Sequence, residues 1–328
     1  MAATPLRPVS SDLDINAQRA RVKTGIDAVA TVLKGNRTAI ELAFAALFAR
    51  GHVLLEDVPG VGKTTLARAI ARVLGCSFSR IQFTSDLLPS DVLGVQILDQ
   101  QRGSFAFKRG PVFANVVLAD EINRASPKTQ SAMLEAMADR QVTIDDETHL
   151  LAAPFIVLAT QNPTEHHGAY PLPESQLDRF MVCTGLGYPP HTDERALLMA
   201  PRAAGNAFDA LNPHFDVTHV NEVCETVDNV TLSTAIADYI LALVQATRAH
   251  PDIILGCSPR GALAYAAVVR AWAFIRGRDY VIPDDVKALA KAVLSHRIMV
   301  TGTRGGDATR HHALSLIDQL VSQVPVPR

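Results

Sequence analysis

Residues 54–70 read "LLEDVPGVGKTTLARAI". An apolar strand-like run leads into a turn carrying Gly60 and Gly62. Lys63, Thr64 and Thr65 follow, and then apolar residues at helical spacing. Strand, glycine turn and helix in that order is the signature of a phosphate-binding loop. The full pattern asks for one more glycine, at position 57, where this chain has Asp57. The phosphate-facing part, Gly60 through Thr64, is intact. Asp accepts tight-turn geometry better than most residues other than glycine. Its carboxylate is therefore expected to turn away from the phosphates and bond backbone near the turn.

The chemistry expected of this loop follows from its residue types. Gly60, Val61 and Gly62 present backbone N–H groups, and glycine permits the close approach that a phosphate needs. Lys63 adds a point charge on the same oxygens, and Thr64 offers a hydroxyl ligand for Mg²⁺. Pro59 and Thr65 complete the expected nucleotide-binding set. The helix that starts here aims its positive end at the anion.

Two further strands end in polar residues. "VVLADE" (116–121) carries Asp120 and Glu121 to the strand's end, where open α/β sheets bind their ligands. Asp120 is placed to hold a metal, directly or through water, and Glu121 to polarise an attacking water. "VLATQNP" (157–163) ends at Gln161 and Asn162, and Asn162 is placed to orient the same water or simply to start an Asn-Pro turn. Two arginines complete the candidates. Arg179 lies in "LPESQLDRF", and Arg260 in "GCSPRGALAYA", where Ser258 caps a helix begun by Pro259. A planar, permanently charged donor suits the charge that develops on a transferring phosphoryl group, although a surface ion pair is the commoner fate of an arginine.

Outward from the loop, strands alternate with helices, which predicts a parallel sheet covered on both faces. Helices are expected over 11–33, with Ser11 as cap, and over the run ending at Gly51. "LDQQRGSFAFKRGPV" reads as a hairpin turning at Gly103, and "QVTIDDETHLLAAP" as another turning at Asp145-Asp146. After the double proline Pro189-Pro190 the pattern becomes helical. This divides the chain into an α/β nucleotide-binding domain over 1–188, with N-terminal helices and two hairpin insertions, and an all-α lid over 189–328.

The 328 residues are 48% hydrophobic with a formal net charge of −2, which supports a buried core and excludes a generic polyanion binder. The four cysteines, Cys76, Cys183, Cys224 and Cys257, lack paired spacing, as in a reduced cytosolic protein. No apolar signal core opens the chain and no run reaches spanning length, so a cytoplasmic protein without a membrane span is expected.

Taken together, "EDVPGVGKTTLA", "GPVFANVVLADEINRASPKTQSAMLEAM", "FIVLATQNP", "YPLPESQLDRF" and "GCSPRGALA" resemble the MoxR-type AAA+ ATPases, in order from about residue 20 to the C-terminus. The resemblance implies an AAA+ fold with a five-stranded parallel sheet, ATP as the bound nucleotide and Mg²⁺ as its metal. It makes Lys63 and Thr64 the Walker A residues, Asp120 and Glu121 the Walker B residues, and Asn162 the first sensor. Arg179 becomes an arginine finger reaching a neighbouring subunit, and Arg260 the second sensor, on the lid. It also implies a homo-oligomeric ring, a hexamer, whose two hairpins lie toward the pore or a face. The activity implied is chaperone-like remodelling or maturation of partner complexes, including metal or cofactor loading, with a separate partner bearing a von Willebrand factor A domain. A nucleic-acid motor is an alternative, with Arg102, Lys108 and Arg109 on the first hairpin. So is the ATPase subunit of a metal chelatase. His166 and His167 depart from the family's usual loop and read as solvated residues.

Overall fold

The computed structural model describes residues 12–100, 103–145, 147–162, 170–199, 208, 210–301 and 307–327. Ser11, Arg102, Asp146, Pro163, His166 and His167 lie outside them. Two helices open the described chain, α1 (Asp12–Val32) and α2 (Arg37–Phe48). Strand β1 (Val53–Glu56) then runs into the glycine loop and helix α3 (Lys63–Val73). Next come β2 (Phe78–Gln82), a short α4 (Pro89–Leu93) and the hairpin β3 (Gly94–Asp99) and β4 (Ser104–Arg109). Strand β5 (Val116–Asp120) leads to α5 (Pro127–Asp139), and a second hairpin follows, β6 (Gln141–Ile144) and β7 (Glu147–Leu150). The α/β part closes with β8 (Ile156–Gln161), α6 (Glu174–Leu177) and β9 (Val182–Thr184).

Five strands form one sheet in the order β2-β5-β8-β1-β9, every neighbouring pair parallel. From β1 the chain crosses to the far edge at β2 and works back through β5 and β8. It then passes β1 to lay β9 on the other edge. All strand ends that carry candidate residues therefore emerge on the same side.

Alternation along the strands sorts the core into two layers. Val53, Leu55, Val116, Leu118, Ile156 and Leu158 face one apolar cluster, with α1, α2 and α3. Leu54, Val117, Ala119, Val157 and Ala159 face the other, with Met133, Leu134 and Met137 of α5. A period of two in fully buried strands is what a sheet covered on both faces demands.

After β9 the chain forms α7 (His191–Met199), α8 (Val217–Asp228), α9 (Thr234–Ala249), α10 (Pro259–Ile275), α11 (Pro283–Leu294) and α12 (Asp307–Gln323). The lid is helical, as expected, with one small addition. Strand β10 (Ile253–Leu255) pairs antiparallel with β11 (Met299–Val300). The reason is local: Ile253 and Val300 are buried with Leu316 and Leu320 of α12, and pairing satisfies the backbone that their burial removes from water. The first apolar cluster also continues from α1 and α2 into α8, α10 and α11, so the two regions share a core. Among the described residues no helix is long and apolar enough to cross a membrane.

Candidate functional site

The glycine loop joins β1 to α3. Gly60 and Gly62 adopt φ of +88° and +102°, the left-handed region where a Cβ is strained. At Gly62 an added Cβ would also lie 2.7 Å from Leu33 Cδ1. Gly62 caps α3 without a side-chain hydrogen bond, which leaves the helix's positive end to a ligand. Lys63 reaches back across the loop, its Nζ donating to the Asp57 carbonyl at 2.6 Å. The Asp57 carboxylate turns from the loop. It accepts from Val58 N at 2.9 Å, and from Leu186 N at 2.6 Å and Gly187 N at 2.7 Å. Those last two bonds tie the loop's entry to the chain leaving β9, and they occupy the acid that stands where the pattern asks for glycine.

Asp120 and Glu121 close β5, two strands away in the sheet. Glu121 sits at φ +56°, an unfavourable backbone for a residue with a Cβ, and it caps the short turn that follows. One hydroxyl anchors both acids. Thr160 of β8 donates to Asp120 Oδ1 at 2.6 Å, and its Oγ1 accepts the Glu121 N–H at 2.9 Å. Asp120 Oδ2 accepts Nη2 of Arg80 at 2.7 Å and its Nε at 3.1 Å. Glu121 Oε2 pairs with Arg124 at 3.1 Å. Asn162 is buried just beyond β8. The loop residues 59–65, Asp120, Glu121 and Asn162 thus share the sheet's carboxyl edge.

Beside them, Glu56 gathers three elements. It accepts from Gln161 Nε2 and from Cys183 Sγ, and its carboxylate pairs with Arg310 of α12 at 3.2 Å. Arg310 also donates to the Glu56 carbonyl at 3.1 Å, so the last helix reaches the strand that feeds the loop. Burial, with the Glu56 charge next to it, pushes the Cys183 thiol well above its usual range and keeps it protonated.

Arg179 and Arg260 are elsewhere. Arg179 precedes β9, beside Met181, whose N–H donates to the His52 carbonyl at the start of β1. Its guanidinium donates to the Leu134 carbonyl of α5. Arg260 is exposed in the first turn of α10, capped as expected by Ser258, whose Oγ accepts from Gly261 N at 2.9 Å. Asp178 links the segments that carry them. It accepts from Ser258 Oγ at 2.8 Å and from Arg297 Nε at 2.9 Å. The Arg297 side chain is 1% exposed, and its remaining donors go to the carbonyls of Asp178, Phe180, Met181 and Val293. Burial lowers its pKa, and the Asp178 charge opposes that shift. This is the amino edge of the sheet. The four residues of β1 alone separate it from the glycine loop by roughly 13 Å.

His52, fully buried at that edge, is fixed as the neutral tautomer with its proton on Nε2. Its Nδ1 accepts from Val157 N at 3.0 Å and its Nε2 faces the Met137 carbonyl at 3.0 Å. Burial, aided by the charges of Arg140 and Arg260, lowers its pKa to about 4.

The family described as "ATPase family associated with various cellular activities (AAA)" matches residues 52–182, and the "AAA lid domain" matches residues 245–312. The chain is 42% identical to Chaperone MoxR1 of Mycobacterium tuberculosis, across 83% of this chain and 74% of that protein. The chain belongs to the MoxR family of AAA+ ATPases. It is also 46% identical to the uncharacterized protein YeaC of Bacillus subtilis, across 92% of this chain and 93% of that one. A crystal structure from Cytophaga hutchinsonii superposes with a TM-score of 0.87 at 37% identity, covering 97% of this chain and 98% of its own. The protein is accordingly an ATPase.

Sequence reasoning assigned no part to Thr160, Arg80, Asp178, Glu56 or Arg310. Thr160 had a signal, as a hydroxyl inside an otherwise apolar strand. The others acquire partners only through the sheet order and the docking of the lid.

Proposed function

We propose that the protein is a Mg²⁺-dependent, ring-forming ATPase of the cytoplasm that remodels or matures partner protein complexes, metal or cofactor loading included. In this reading residues 59–65 cradle the phosphates and Lys63 neutralises them. Glu121 positions the attacking water and Asn162 orients it. Thr64 and Asp120 supply hard oxygen donors of the kind Mg²⁺ takes, and the ion's contribution is to offset charge on the phosphates. The α/β unit spans 1–188 and the lid 189–328. A separate chain with a von Willebrand factor A domain is the partner we assign.

The observation that carries this reading is the division of the candidates between two edges. Lys63, Asp120, Glu121 and Asn162 share the carboxyl edge, while the segments carrying Arg179 and Arg260 are joined at the amino edge through Asp178 and Ser258. We assign arginines so placed to a neighbour's nucleotide, which a closed head-to-tail ring brings to them. A hexamer is the ring size we assign. The first hairpin supports a polypeptide client over nucleic acid. Ile97, Leu98 and Phe105 are exposed on it, Phe105 by 70%, an apolar surface unlike a phosphate-tracking groove.

The deciding experiment is Glu121→Gln. ATP binding should persist, turnover should fall by about 10²–10³-fold, and client chains should co-purify with the stalled protein. Unchanged hydrolysis in that variant overturns the assignment of Glu121.

A further inference from the structure

We infer that Thr160 is a positioning residue for ATP hydrolysis, because its one hydroxyl sets the geometry of both acids at the end of β5. This rests on the roles proposed above for Asp120 and Glu121. A hydroxyl has one proton to give and lone pairs to accept with. Here both capacities are spent on adjacent residues of another strand: the proton on Asp120 Oδ1 at 2.6 Å, and a lone pair on the Glu121 N–H at 2.9 Å. Thr160 is 1% exposed, so no water stands ready to replace it.

The two bonds do different things. Donation to Oδ1 fixes the rotation of the Asp120 carboxylate, while Arg80 holds Oδ2 from β2, so the group is pinned from both sides. The bond from the Glu121 N–H holds a peptide whose residue has φ +56°, a conformation that L residues leave unless something fixes them there. If that peptide relaxes, the Glu121 carboxylate swings away from the place where a water must be aligned. β-Branching adds to the effect, since Thr has few χ1 choices in a strand and presents its hydroxyl to β5 before any ligand arrives. A misplacement of about 1 Å at a reacting centre costs on the order of 10²-fold in rate.

The test compares Thr160→Val, which keeps shape and removes the hydroxyl, with Thr160→Ser, which keeps the hydroxyl. Each is measured on the full chain for turnover, for metal-free binding of a fluorescent ATP analogue, for the Mg²⁺ concentration that half-saturates the analogue's metal-dependent signal, and for thermal unfolding. The Val variant should bind the metal-free analogue within about 3-fold of wild type. It should need about 10-fold more Mg²⁺ and lose about 10²-fold in kcat, with little change in KM. The Ser variant should restore kcat and the Mg²⁺ requirement to within about 3-fold. A purely structural role would move the unfolding temperature and leave the Mg²⁺ half-saturation alone. Asp120→Asn and Glu121→Gln serve as controls. If they leave hydrolysis unchanged, the site assignment itself fails. If they abolish it while folded Thr160→Val turns over like wild type, the inference about Thr160 fails. Should the Val variant not fold, the Ser variant decides: a folded, inactive Thr160→Ser refutes the hydroxyl's role, and a fully active one with normal Mg²⁺ dependence supports it.

Discussion

The two edges of the sheet are built on opposite plans. At the carboxyl edge the groups proposed to meet ATP lie on loops and strand ends, and glycine backbone, short acids and one lysine sit around a helix end left without a side-chain cap. At the amino edge two arginines are carried on elements clamped by a buried ion pair, Arg297 with Asp178, and by the hydrogen bond from Ser258. A cradle has to admit and release its ligand. A pair of cations proposed to serve another chain's nucleotide gains more from being held at a fixed angle, because misdirected charge stabilises nothing. The contrast predicts that damage at the amino edge will leave nucleotide binding intact and remove turnover. Arg179→Ala should lower kcat by about 10³-fold or more, as loss of an arginine finger does, with ATP affinity within a few-fold of wild type. Mixing that variant with Lys63→Ala should recover part of the activity, since each supplies the half the other lacks. Binding and turnover falling together, with no recovery on mixing, would break the comparison.

Asp178 allows a smaller test of the same contrast. Asp178→Asn removes the charge facing Arg297, which has no water to turn to, and weakens the bridge to Ser258. A buried pair that loses one partner costs about 3–5 kcal/mol, and Asp178 is exposed enough that about 2 kcal/mol is the better expectation. Turnover should drop about 10-fold, less than for Arg179→Ala because the arginines remain present but are less well aimed. Denaturant unfolding and steady-state kinetics on the same preparation check both numbers. Reduced stability with unaltered kcat would show that the clamp serves folding alone.

How much of this was legible in the sequence differs between the same two edges. Residues 54–70 and the ends of β5 and β8 carry their chemistry in short contiguous strings, because a strand that ends in polar residues writes the site directly into the order of residues. The hairpins and the parallel sheet were legible for the same reason, since turn residues and alternation are local signals. The amino edge was not. Asp178 meets Ser258 and Arg297 across separations of 80 and 119 residues, and at the carboxyl edge too Arg310 meets Glu56 across 254. Such contacts exist only once the lid has docked, and no spacing announces them. The β10–β11 pair was missed because two and three residues give too little pattern to tell a strand from a helix end. Asp57 shows the reverse case. A residue that looked like a gap in the loop pattern takes three backbone N–H groups and fastens the loop to the far side of β9.

His52 gives the mildest prediction, one of stability against pH. Its Nδ1 must stay unprotonated to accept from Val157, and burial holds its pKa at about 4 against an ordinary 6.5. The unfolded chain therefore takes up a proton near pH 6.5 that the folded chain refuses until about pH 4. Stability from this group is complete above pH 6.5 and is lost as pH falls through that window, by about 3 kcal/mol in all. His296, buried beside Arg297, is displaced in the same direction and adds to the slope. Denaturant titrations at intervals from pH 7 to pH 4 should show unfolding free energy falling with acid. In His52→Gln the curve should start lower and fall less steeply, since one of the two protons no longer enters. An equal slope in that variant would mean that the amino edge opens to water before His52 is protonated, and that the clamp there is not rigid.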